Sequence, residues 1–323
     1  VSSVMSDVLG VLGGCMGCMV VVENIAKPQP SSMNLMTLST FLFIAAVGLI
    51  HTSKFFTVPN KIPLRGYAKT VTVFFIVNVI NNQALNFHVP VPLHIIFRSG
   101  SLLANMLLNV ILMGRSYSLR KYISVFAITL GIIICTLATS QQGKDSGMSM
   151  EEASKHYVEW SIGIAMLSFA LLASALLGIY QQQMYEQYGK HPDEAMFVTH
   201  ALALPAFSLM YKDIARSAAV FTAAAPASFL GLELPLSGLW LNMLASCVLQ
   251  WVCIRFVYRL NASVDSLTVT LVVTLRKFLS LLVSIVYFQN PFSALHWLGT
   301  FFVFAGTLAF DDVFFKSSVK AKK

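Results

Sequence analysis

The sequence is dominated by apolar runs of about 20 residues, the length of helix that crosses the hydrocarbon core of a bilayer. Only 11% of the 323 residues are charged, whereas soluble domains carry about 25% to keep their surface in water. This shortage of charge indicates that most of the surface faces lipid. The alternating ten-residue segments of an outer-membrane barrel are not found in the sequence. Ten helices are therefore predicted, with approximate spans 4–22, 34–52, 70–87, 91–113, 120–139, 158–181, 195–211, 235–254, 264–288 and 294–315.

Positive charges are distributed unevenly between alternate loops. The connections after even-numbered spans, with the carboxyl tail, hold fourteen of the 22 Lys and Arg residues, and the connections after odd-numbered spans hold five. Cytoplasmic loops carry the excess of Lys and Arg, so both termini are predicted to face the cytosol. The net charge of +8 follows from this topology, and a nucleic-acid partner is not expected.

The two halves of the chain share a pattern. Segments 118–131 and 293–306 have the same spacing of one serine, two aromatic residues and one glycine, at an offset of 175 residues. Arg98 and Arg276 lie upstream of these segments, in the corresponding fourth and ninth spans. Because each half holds five helices, the second half enters the membrane from the opposite side, which makes an inverted repeat. The predicted halves are residues 1–145 and 146–323.

Three positive charges fall in the interior of predicted spans, away from the span ends: Arg98, Arg276 and Lys277. A charge near the centre of a bilayer costs about 2.5–3.5 kcal/mol on insertion scales, so these side chains cannot face lipid. They line a cavity, bind an anion or pair with a carboxylate such as Asp265. Arginine and lysine suit phosphate oxygens, and several cations in one site suit a diphosphate. We favour an anion-binding cavity, with the buried ion pair as the alternative.

Polar side chains recur at helical spacing near these charges. In the fourth span they form a single stripe on an otherwise apolar helix. Amides and hydroxyls of this kind either bind a sugar or a base, or hydrogen-bond neighbouring helices together. The predicted phosphate-binding residues are Lys277, Arg276 and Arg98. The predicted nucleoside-binding and sugar-binding residues on these spans are Asn81, Asn82, Ser101, Asn105, Thr274 and Ser280.

Several motifs resemble a known family. Residues 267–281 read LTVTLVVTLRKFLSL, residues 287–292 read YFQNPF, and residues 97–101 read FRSGS. Over essentially its whole length the chain resembles the nucleotide-sugar transporters of solute carrier family 35, most of all the subgroup that carries UDP-N-acetylglucosamine and UDP-xylose. The resemblance implies the drug/metabolite transporter fold, an all-α integral membrane fold with ten transmembrane helices in two inverted five-helix repeats.

The resemblance also implies partners and a location. The expected partners are a UDP-sugar substrate, UMP as the counter-substrate, the lipid bilayer and, if the chain assembles, a second copy in a homodimer. The expected location is the Golgi membrane, with the endoplasmic reticulum membrane as the alternative.

Two site motifs of the family match positions in this chain. An aromatic-aromatic-amide-amide motif that contacts the nucleotide corresponds to residues 197–200, which places Thr199 and His200 where those relatives have amides. A ninth-helix motif that ends in a phosphate-binding lysine corresponds to residues 273–277. Arg276 stands where those relatives have asparagine, so guanine recognition is not expected, whereas the phosphate role of Lys277 is retained.

Two other functions compete with this hypothesis. A proton-coupled metabolite exporter of the same fold would need a titrating carboxylate in the membrane, for which Glu23 and Asp265 are the candidates. A membrane-embedded transferase would need a metal–carboxylate cluster or an activated nucleophile, and no such motif occurs. We therefore predict no enzyme activity, no catalytic residue, no metal and no cofactor.

Cysteines and closely spaced glycines occur in the first span. Cys15 and Cys18 form a CxxC without a second ligand pair, so they are interpreted as small packing residues. Four glycines lie at overlapping GxxxG spacing, which is typical of a helix that packs closely against another helix: Gly10, Gly13, Gly14 and Gly17.

Overall fold

The computed structural model describes residues 2–114, 116–144, 150–229, 232–263 and 266–310. Within these ranges the chain forms twelve α-helices and one short antiparallel hairpin of strands β1 and β2. The helices are α1 Ser2–Ala26, α2 Met33–His51, α3 Leu64–Ala84, α4 Val91–Ser99, α5 Ser101–Met113, α6 Leu119–Lys144, α7 Met150–Tyr188, α8 Pro192–Ala203, α9 Tyr211–Ala223, α10 Gly238–Ser263, α11 Ser266–Val286 and α12 Ala294–Phe310. The strands are β1 Pro226–Phe229 and β2 Leu232–Ser237, and 3₁₀ segments cover Pro30–Ser32 and Leu204–Met210.

Six helical stretches in the described ranges are long and apolar enough to cross a membrane. The helix Ala294–Phe310 is also apolar but shorter. These lengths agree with the predicted class of helical membrane protein, whereas the count of ten spans stays a prediction. The six stretches are Val4–Ala26, Pro30–His51, Val91–Leu112, Leu119–Ser140, Ser154–Tyr188 and Gly238–Val257.

The fourth predicted span is broken in the structure. Helix α4 ends at Ser99, Gly100 caps it, and α5 begins at Ser101. A Cβ atom at position 100 would lie 2.5 Å from Ile132 Cδ1 of α6, so a larger residue would require the Ile132 side chain to move. The break thus lies two residues after Arg98, where the Ile132 side chain of α6 packs against the chain.

The seventh predicted span, 195–211, is also interrupted. Helix α8 ends at Ala203, and a 3₁₀ segment follows from Leu204 to Met210 before α9 begins. Pro205 lies at the start of this segment, and proline removes a backbone donor and obstructs a continuing α-helix. The α-helix therefore gives way to a 3₁₀ segment where the apolar run alone predicted one continuous helix.

The chain divides into two compact units. The first unit comprises Val1–Val8, Ala84–Ala175 and Arg259–Lys323, and the second comprises Leu9–Gln83 and Leu176–Tyr258. Each unit therefore contains segments from both predicted sequence halves. The two units are defined by contacts in space, whereas the halves 1–145 and 146–323 were predicted from a repeat in the sequence. The division into halves stays a prediction.

In the first unit, α6 and α12 pack in direct backbone contact. A Cβ at Gly131 would lie 2.5 Å from the carbonyl oxygen of Gly299, and a Cβ at Gly306 would lie 2.8 Å from the carbonyl oxygen of Ser124. As residue numbers fall along α6 they rise along α12, so the two helices are antiparallel. The absence of side chains at these glycines is what allows the two backbones to meet.

These contacts are related by one sequence offset. Adding 175 to a residue number of α6 gives its counterpart in α12, and subtracting 175 from a number of α12 gives its counterpart in α6. This operation converts the Gly131–Gly299 contact into the Gly306–Ser124 contact. The same shift relates the hydrogen bond from Cys135 Sγ to the His296 carbonyl, 3.5 Å, to the contact of Lys121 Nζ with the Phe310 ring, 5.0 Å. The α6–α12 pair therefore has a local two-fold arrangement of its contacts.

In the second unit, α1 and α10 are joined covalently. A Cβ at Gly10 would overlap the Phe256 ring at 2.5 Å, and a Cβ at Gly14 would lie 3.2 Å from the backbone nitrogen of Cys253. At this crossing Cys15 and Cys253 form a disulfide, with their Cα atoms 4.7 Å apart. Gly10 and Gly14 therefore act as the sequence predicted, by letting the helices pack tightly, whereas the prediction is wrong for Gly13, where a Cβ would meet no atom within 4 Å.

The disulfide corrects the interpretation of the cysteines. The prediction that Cys15 serves only as a packing residue is wrong, because it is bonded to Cys253. The prediction agrees with Cys18, which is buried and takes part in no described disulfide. The sequence could not reveal the bond, because the two cysteines are 238 residues apart and only the packing of α1 on α10 brings them together.

The disulfide has a direct biochemical test. With a protease site inserted in the polar sequence 141–149, the fragments bearing α1 and α10 should migrate together on a denaturing gel without reductant, and separate after reduction or in Cys15→Ser. Loss of the bond should lower the free energy of unfolding by no more than about 2–4 kcal/mol, the range typical of disulfides. Cys18→Ser is the matched control and should retain the linkage. Separate wild-type fragments without reductant would contradict the bond.

Candidate functional site

The break between α4 and α5 brings two of the predicted cationic residues together. The carbonyl oxygen of Arg98 accepts a hydrogen bond from Lys277 Nζ of α11 at 3.5 Å. A helix end leaves carbonyl groups without partners inside the helix, and the break at Gly100 supplies such an end next to Arg98. Lys277 is partly buried, whereas the Arg98 side chain is exposed. The first unit therefore links Arg98 to Lys277 through a backbone carbonyl.

Helix α11 carries further predicted site residues on the same unit. Thr274 and Ser280 are buried, with 6% and 7% of their surface exposed, and Arg276 is partly buried. Further along the helix, Ser284 is fully buried and its hydroxyl accepts a hydrogen bond from Asn290 Nδ2 at 2.9 Å. Helix α11 thus presents hydroxyl groups inside the protein, in the turns before and after its two cations.

Apolar packing holds α4 and α11 in place. Ile96 and Phe97 of α4 belong to one buried cluster with Leu281 of α11 and Phe304 of α12. Phe278, one residue after Lys277, packs on Phe304 with ring centroids 5.4 Å apart. This cluster fixes the backbone on which Arg98 and Lys277 stand.

Seven of the predicted site residues lie in the first unit. Ser101 begins α5, and Asn105 lies one turn further along that helix; both are partly buried. Asp265, the carboxylate considered as an alternative ion-pair partner, lies outside the described residues. The seven are Arg98, Ser101, Asn105, Thr274, Arg276, Lys277 and Ser280.

The other four predicted site residues lie in the second unit, and Asn82 is one of them. Asn82 Nδ2 of α3 donates to Thr37 Oγ1 of α2 at 2.7 Å and lies 3.4 Å from Asn34 Oδ1. Asn34 Nδ2 in turn donates to Asp213 Oδ2 of α9 at 2.7 Å. Asn82 therefore joins α3 to α2 in this structure. Sequence reasoning missed Asn34 and Asp213, since nothing local marks two residues 179 positions apart as partners.

His200 lies inside an aromatic cluster. Its ring centroid is 4.8 Å from that of Phe41 and 5.1 Å from that of Phe74, and its Nδ1 lies 2.6 Å from the Met196 carbonyl oxygen. Thr199, beside it on α8, is buried with 7% of its surface exposed, and Asn81 is partly buried. The ring packing holds His200 in a fixed orientation, and its nucleotide-binding role stays a prediction.

Together, the long apolar helices and the cations beside a broken helix define the class of protein. A charge inside the membrane is costly unless it faces the protein interior or an aqueous path, and such residues mark solute pathways. Broken helices in the membrane are typical of the sites at which transporters bind their substrates. The fold and the candidate site are those of an integral membrane solute carrier.

Comparison with known proteins identifies the family. The UAA transporter family matches residues 3–313, so the chain belongs to this family. An endoplasmic reticulum GDP-fucose transporter of Drosophila melanogaster is 47% identical over 308 residues, covering 93% of this chain and 88% of the relative. A UDP-xylose and UDP-N-acetylglucosamine transporter of Danio rerio is 46% identical, covering 93% of this chain and 91% of the relative. The human nucleotide sugar transporter SLC35B4 is 45% identical, covering 94% and 92%.

A solved crystal structure has the same overall fold. It superposes on this chain with a TM-score of 0.54, at 13% sequence identity, and covers 95% of this chain and 97% of the other. At this identity the likeness concerns the fold alone.

The sequence relatives confirm the predicted resemblance to nucleotide-sugar transporters.

Proposed function

We propose that this protein carries UDP-N-acetylglucosamine, UDP-xylose or both across an intracellular membrane, from the cytosol to the lumen. The observation that carries the proposal is identity of 45–46%, over more than 90% of the chain, to proteins named as transporters of these nucleotide sugars or of nucleotide sugars in general. The cationic site is consistent with this substrate class, because guanidinium and ammonium groups bind phosphate oxygens. The protein is a carrier, and enzyme activity is not part of the proposal.

GDP-fucose is the second candidate substrate. The Drosophila relative that is named for it is 47% identical, as similar to this chain as the relatives named for UDP-sugars. Arg276, at the position where guanine-selecting relatives carry asparagine according to the resemblance, favours UDP-sugars. The two candidates differ in the base, so a panel of nucleotide sugars separates them.

The proposed architecture has ten membrane spans in two inverted halves. The two-fold relation of the α6–α12 contacts supports it, because the offset of 175 residues that relates those contacts also relates segments 118–131 and 293–306 in the sequence. In this architecture α6 and α12 are the last helices of their halves. Both termini then face the cytosol, as the distribution of positive charges predicts.

The proposed site binds the substrate by its charged and polar groups. Lys277, Arg276 and Arg98 neutralise the diphosphate. The nucleoside and the sugar are bound by amides, hydroxyls and an imidazole. Broken helix α4–α5 offers backbone polar groups beside the phosphates, as discontinuous helices do in other transporters. The proposed nucleoside-binding and sugar-binding residues are Asn81, Asn82, Ser101, Asn105, Thr199, His200, Thr274 and Ser280.

The proposed location is the Golgi membrane, with the endoplasmic reticulum as the alternative. The name of the Drosophila relative places that protein in the endoplasmic reticulum, which supports the alternative. A fluorescent fusion imaged with markers of both compartments distinguishes them. A homodimer is part of the proposal for the assembled state, and chemical cross-linking in the native membrane tests it.

A thermal-shift panel on the purified full chain tests the substrate. UDP-N-acetylglucosamine or UDP-xylose should raise the melting temperature at concentrations where GDP-fucose and CMP-sialic acid do not, because a ligand stabilises only the state that binds it. A larger shift with GDP-fucose would replace the UDP-sugars by the second candidate. No shift with any nucleotide sugar, in protein that unfolds cooperatively, would contradict the proposed function.

Exchange for UMP has a separate test. Proteoliposomes preloaded with UMP should take up labelled UDP-sugar several-fold faster than empty proteoliposomes, since a filled site returns with its cations neutralised. Equal rates would contradict exchange. Uptake that follows a pH gradient instead would favour the proton-coupled alternative, for which Glu23, fully buried on α1, is the described candidate.

A further inference from the structure

A cavity of about 240 Å³ opens on the second unit, and Phe197 is the one lining residue that also belongs to the predicted nucleotide-contacting motif 197–200. One wall is the segment 52–63, which connects α2 to α3 and is called here the α2–α3 connection. The other wall is formed by residues 190–197 at the start of α8. The candidate spans Pro30–His51 and Ser154–Tyr188 end immediately before these two walls. The cavity therefore lies at a bilayer surface, which the charge distribution predicts to be the cytosolic one.

Glu194 fixes the α2–α3 connection to α8. Its carboxylate accepts hydrogen bonds from the backbone N–H of Lys61 and of Ile62, both at 2.9 Å, and from the hydroxyl of Tyr67 at 3.1 Å. Burial raises the pKa of Tyr67, and the Glu194 carboxylate raises it further, so this hydroxyl keeps its proton and donates. The cavity is thus preformed, and three donors already satisfy the charge of Glu194.

The remaining charges on the cavity walls have both signs. Lys61 and Lys190 supply two ammonium groups, and Asp193 supplies a carboxylate; all three residues are exposed. A purely anionic ligand would meet the carboxylate, and a purely cationic ligand would meet the two lysines. A ligand with a phosphate next to an ammonium group complements both signs, because each of its charges finds an opposite charge on the walls.

Two exposed aromatic rings border the cavity. Phe55 and Phe56 are 67% and 75% exposed, and the Phe56 ring lies 6.3 Å from that of Phe197, which lines the cavity. Lys54, Phe55 and Phe56 all have left-handed backbone, with φ of 45°, 56° and 63°. This conformation is costly for residues with side chains. Exposed rings directly after a membrane span belong at the boundary between head groups and acyl chains.

Backbone hydrogen bonds hold this unusual turn. The N–H of Phe55 donates to the Leu49 carbonyl at 2.9 Å, and the N–H of Phe56 donates to Ser53 Oγ at 3.0 Å. The strained conformation is therefore stabilised by the Leu49 carbonyl of α2 and by Ser53 of the α2–α3 connection, and both rings are exposed. A strained turn that leaves two phenyl rings exposed at a bilayer surface indicates contact of these rings with lipid.

We propose that this cavity binds the head group of a zwitterionic phospholipid with a primary amine, such as phosphatidylethanolamine. The phosphate contacts Lys61 and Lys190, the ammonium group contacts Asp193, and the acyl chains run along Phe55 and Phe56. A primary amine is favoured over choline because its N–H groups donate charge-assisted hydrogen bonds to the carboxylate. The site does not depend on the proposed transport function.

Native mass spectrometry of the detergent-purified full chain tests the site. With equal amounts of phosphatidylethanolamine, phosphatidylcholine and phosphatidylglycerol, the wild type should retain phosphatidylethanolamine over phosphatidylcholine by about two- to fivefold, the range of one charge-assisted contact at an exposed carboxylate. Asp193→Asn should lose that preference, and the double variant Lys61→Ala, Lys190→Ala should lose binding of both lipids. Lys212→Ala, which removes an exposed lysine of α9 outside the cavity, is the matched control and should behave as wild type.

Other results would overturn the proposal. Equal retention of phosphatidylethanolamine and phosphatidylcholine by the wild type, or an unchanged preference in Asp193→Asn, would remove the ammonium contact and with it the proposed ligand. Preference for phosphatidylglycerol would indicate an anionic ligand instead. Soluble phosphoethanolamine that competes as well as the lipid would show that acyl chains are not recognised. The double variant Phe55→Ser, Phe56→Ser should weaken lipid retention without altering competition by the soluble head group.

Discussion

Replacement of Lys277 by alanine is expected to weaken binding of the nucleotide sugar by about 10- to 150-fold and to lower transport in proportion at limiting substrate. A hydrogen bond to a charged group contributes about 1.5–3 kcal/mol, which corresponds to this range in affinity. Lys277 donates a hydrogen bond to the Arg98 carbonyl at the break between α4 and α5, so its ammonium group lies beside the backbone of another predicted phosphate-binding residue. Thermal-shift titration gives the affinity, and uptake into proteoliposomes gives the rate.

Controls separate a role in binding from a role in folding. Lys277→Arg keeps the charge on a planar group and should retain part of the affinity. Lys212→Ala removes an exposed lysine and should leave both affinity and rate unchanged. Normal transport by Lys277→Ala would remove Lys277 from the site, whereas loss of cooperative unfolding would assign it a structural role.

Alanine at Gly131 or at Gly306 is expected to destabilise the protein by similar amounts, about 1–3 kcal/mol or more. Overpacking a tight interface costs about this much, and here the added methyl group would meet a backbone carbonyl on the facing helix at 2.5 Å or 2.8 Å. Backbone cannot move aside as the end of a flexible side chain can. The similarity of the two effects follows from the two-fold arrangement of the α6–α12 contacts.

Gly13 provides the matched control. A Cβ at this position of α1 meets no atom within 4 Å, and alanine is the better helix former. Gly13→Ala should therefore leave the melting temperature unchanged or raise it. A large loss at Gly131 with none at Gly306 would contradict the two-fold relation, and no loss at either would contradict the close packing of α6 on α12.

Much of the membrane architecture was readable from local sequence. Apolar runs predicted where long helices lie, because the length of a span and its lack of charge are local properties. The interruptions of the fourth and seventh spans were not predicted. The break lies at Gly100, where the Ile132 side chain of α6 packs against the glycine, and the local sequence does not reveal this tertiary contact. Pro205 was a local signal, but the surrounding apolar run obscured it.

The sequence predicted which charged residues belong to the candidate site, but it did not predict which groups they contact. The cost of intramembrane charge singled out Arg98 and Lys277, and the structure joins them. The amide of Asn82, predicted to contact substrate, donates a hydrogen bond to Thr37 of α2 in this structure, and its role in binding stays a prediction. From spacing alone the two roles of such an amide are indistinguishable, since both need a polar group on an inward face. The three hydrogen bonds to the Glu194 carboxylate were not predicted, because their donors lie about 130 residues away along the chain.

The covalent bond between α1 and α10 has a consequence for biogenesis. Cys15 enters the membrane early in synthesis, whereas Cys253 follows 238 residues later. The first thiol must therefore stay reduced, with its neighbour Cys18 three residues away, while most of the polypeptide is inserted. Formation of the disulfide is therefore a late step of assembly. If the Cys15 thiol were oxidised earlier, it would be blocked before α10, which carries Cys253, has been synthesised.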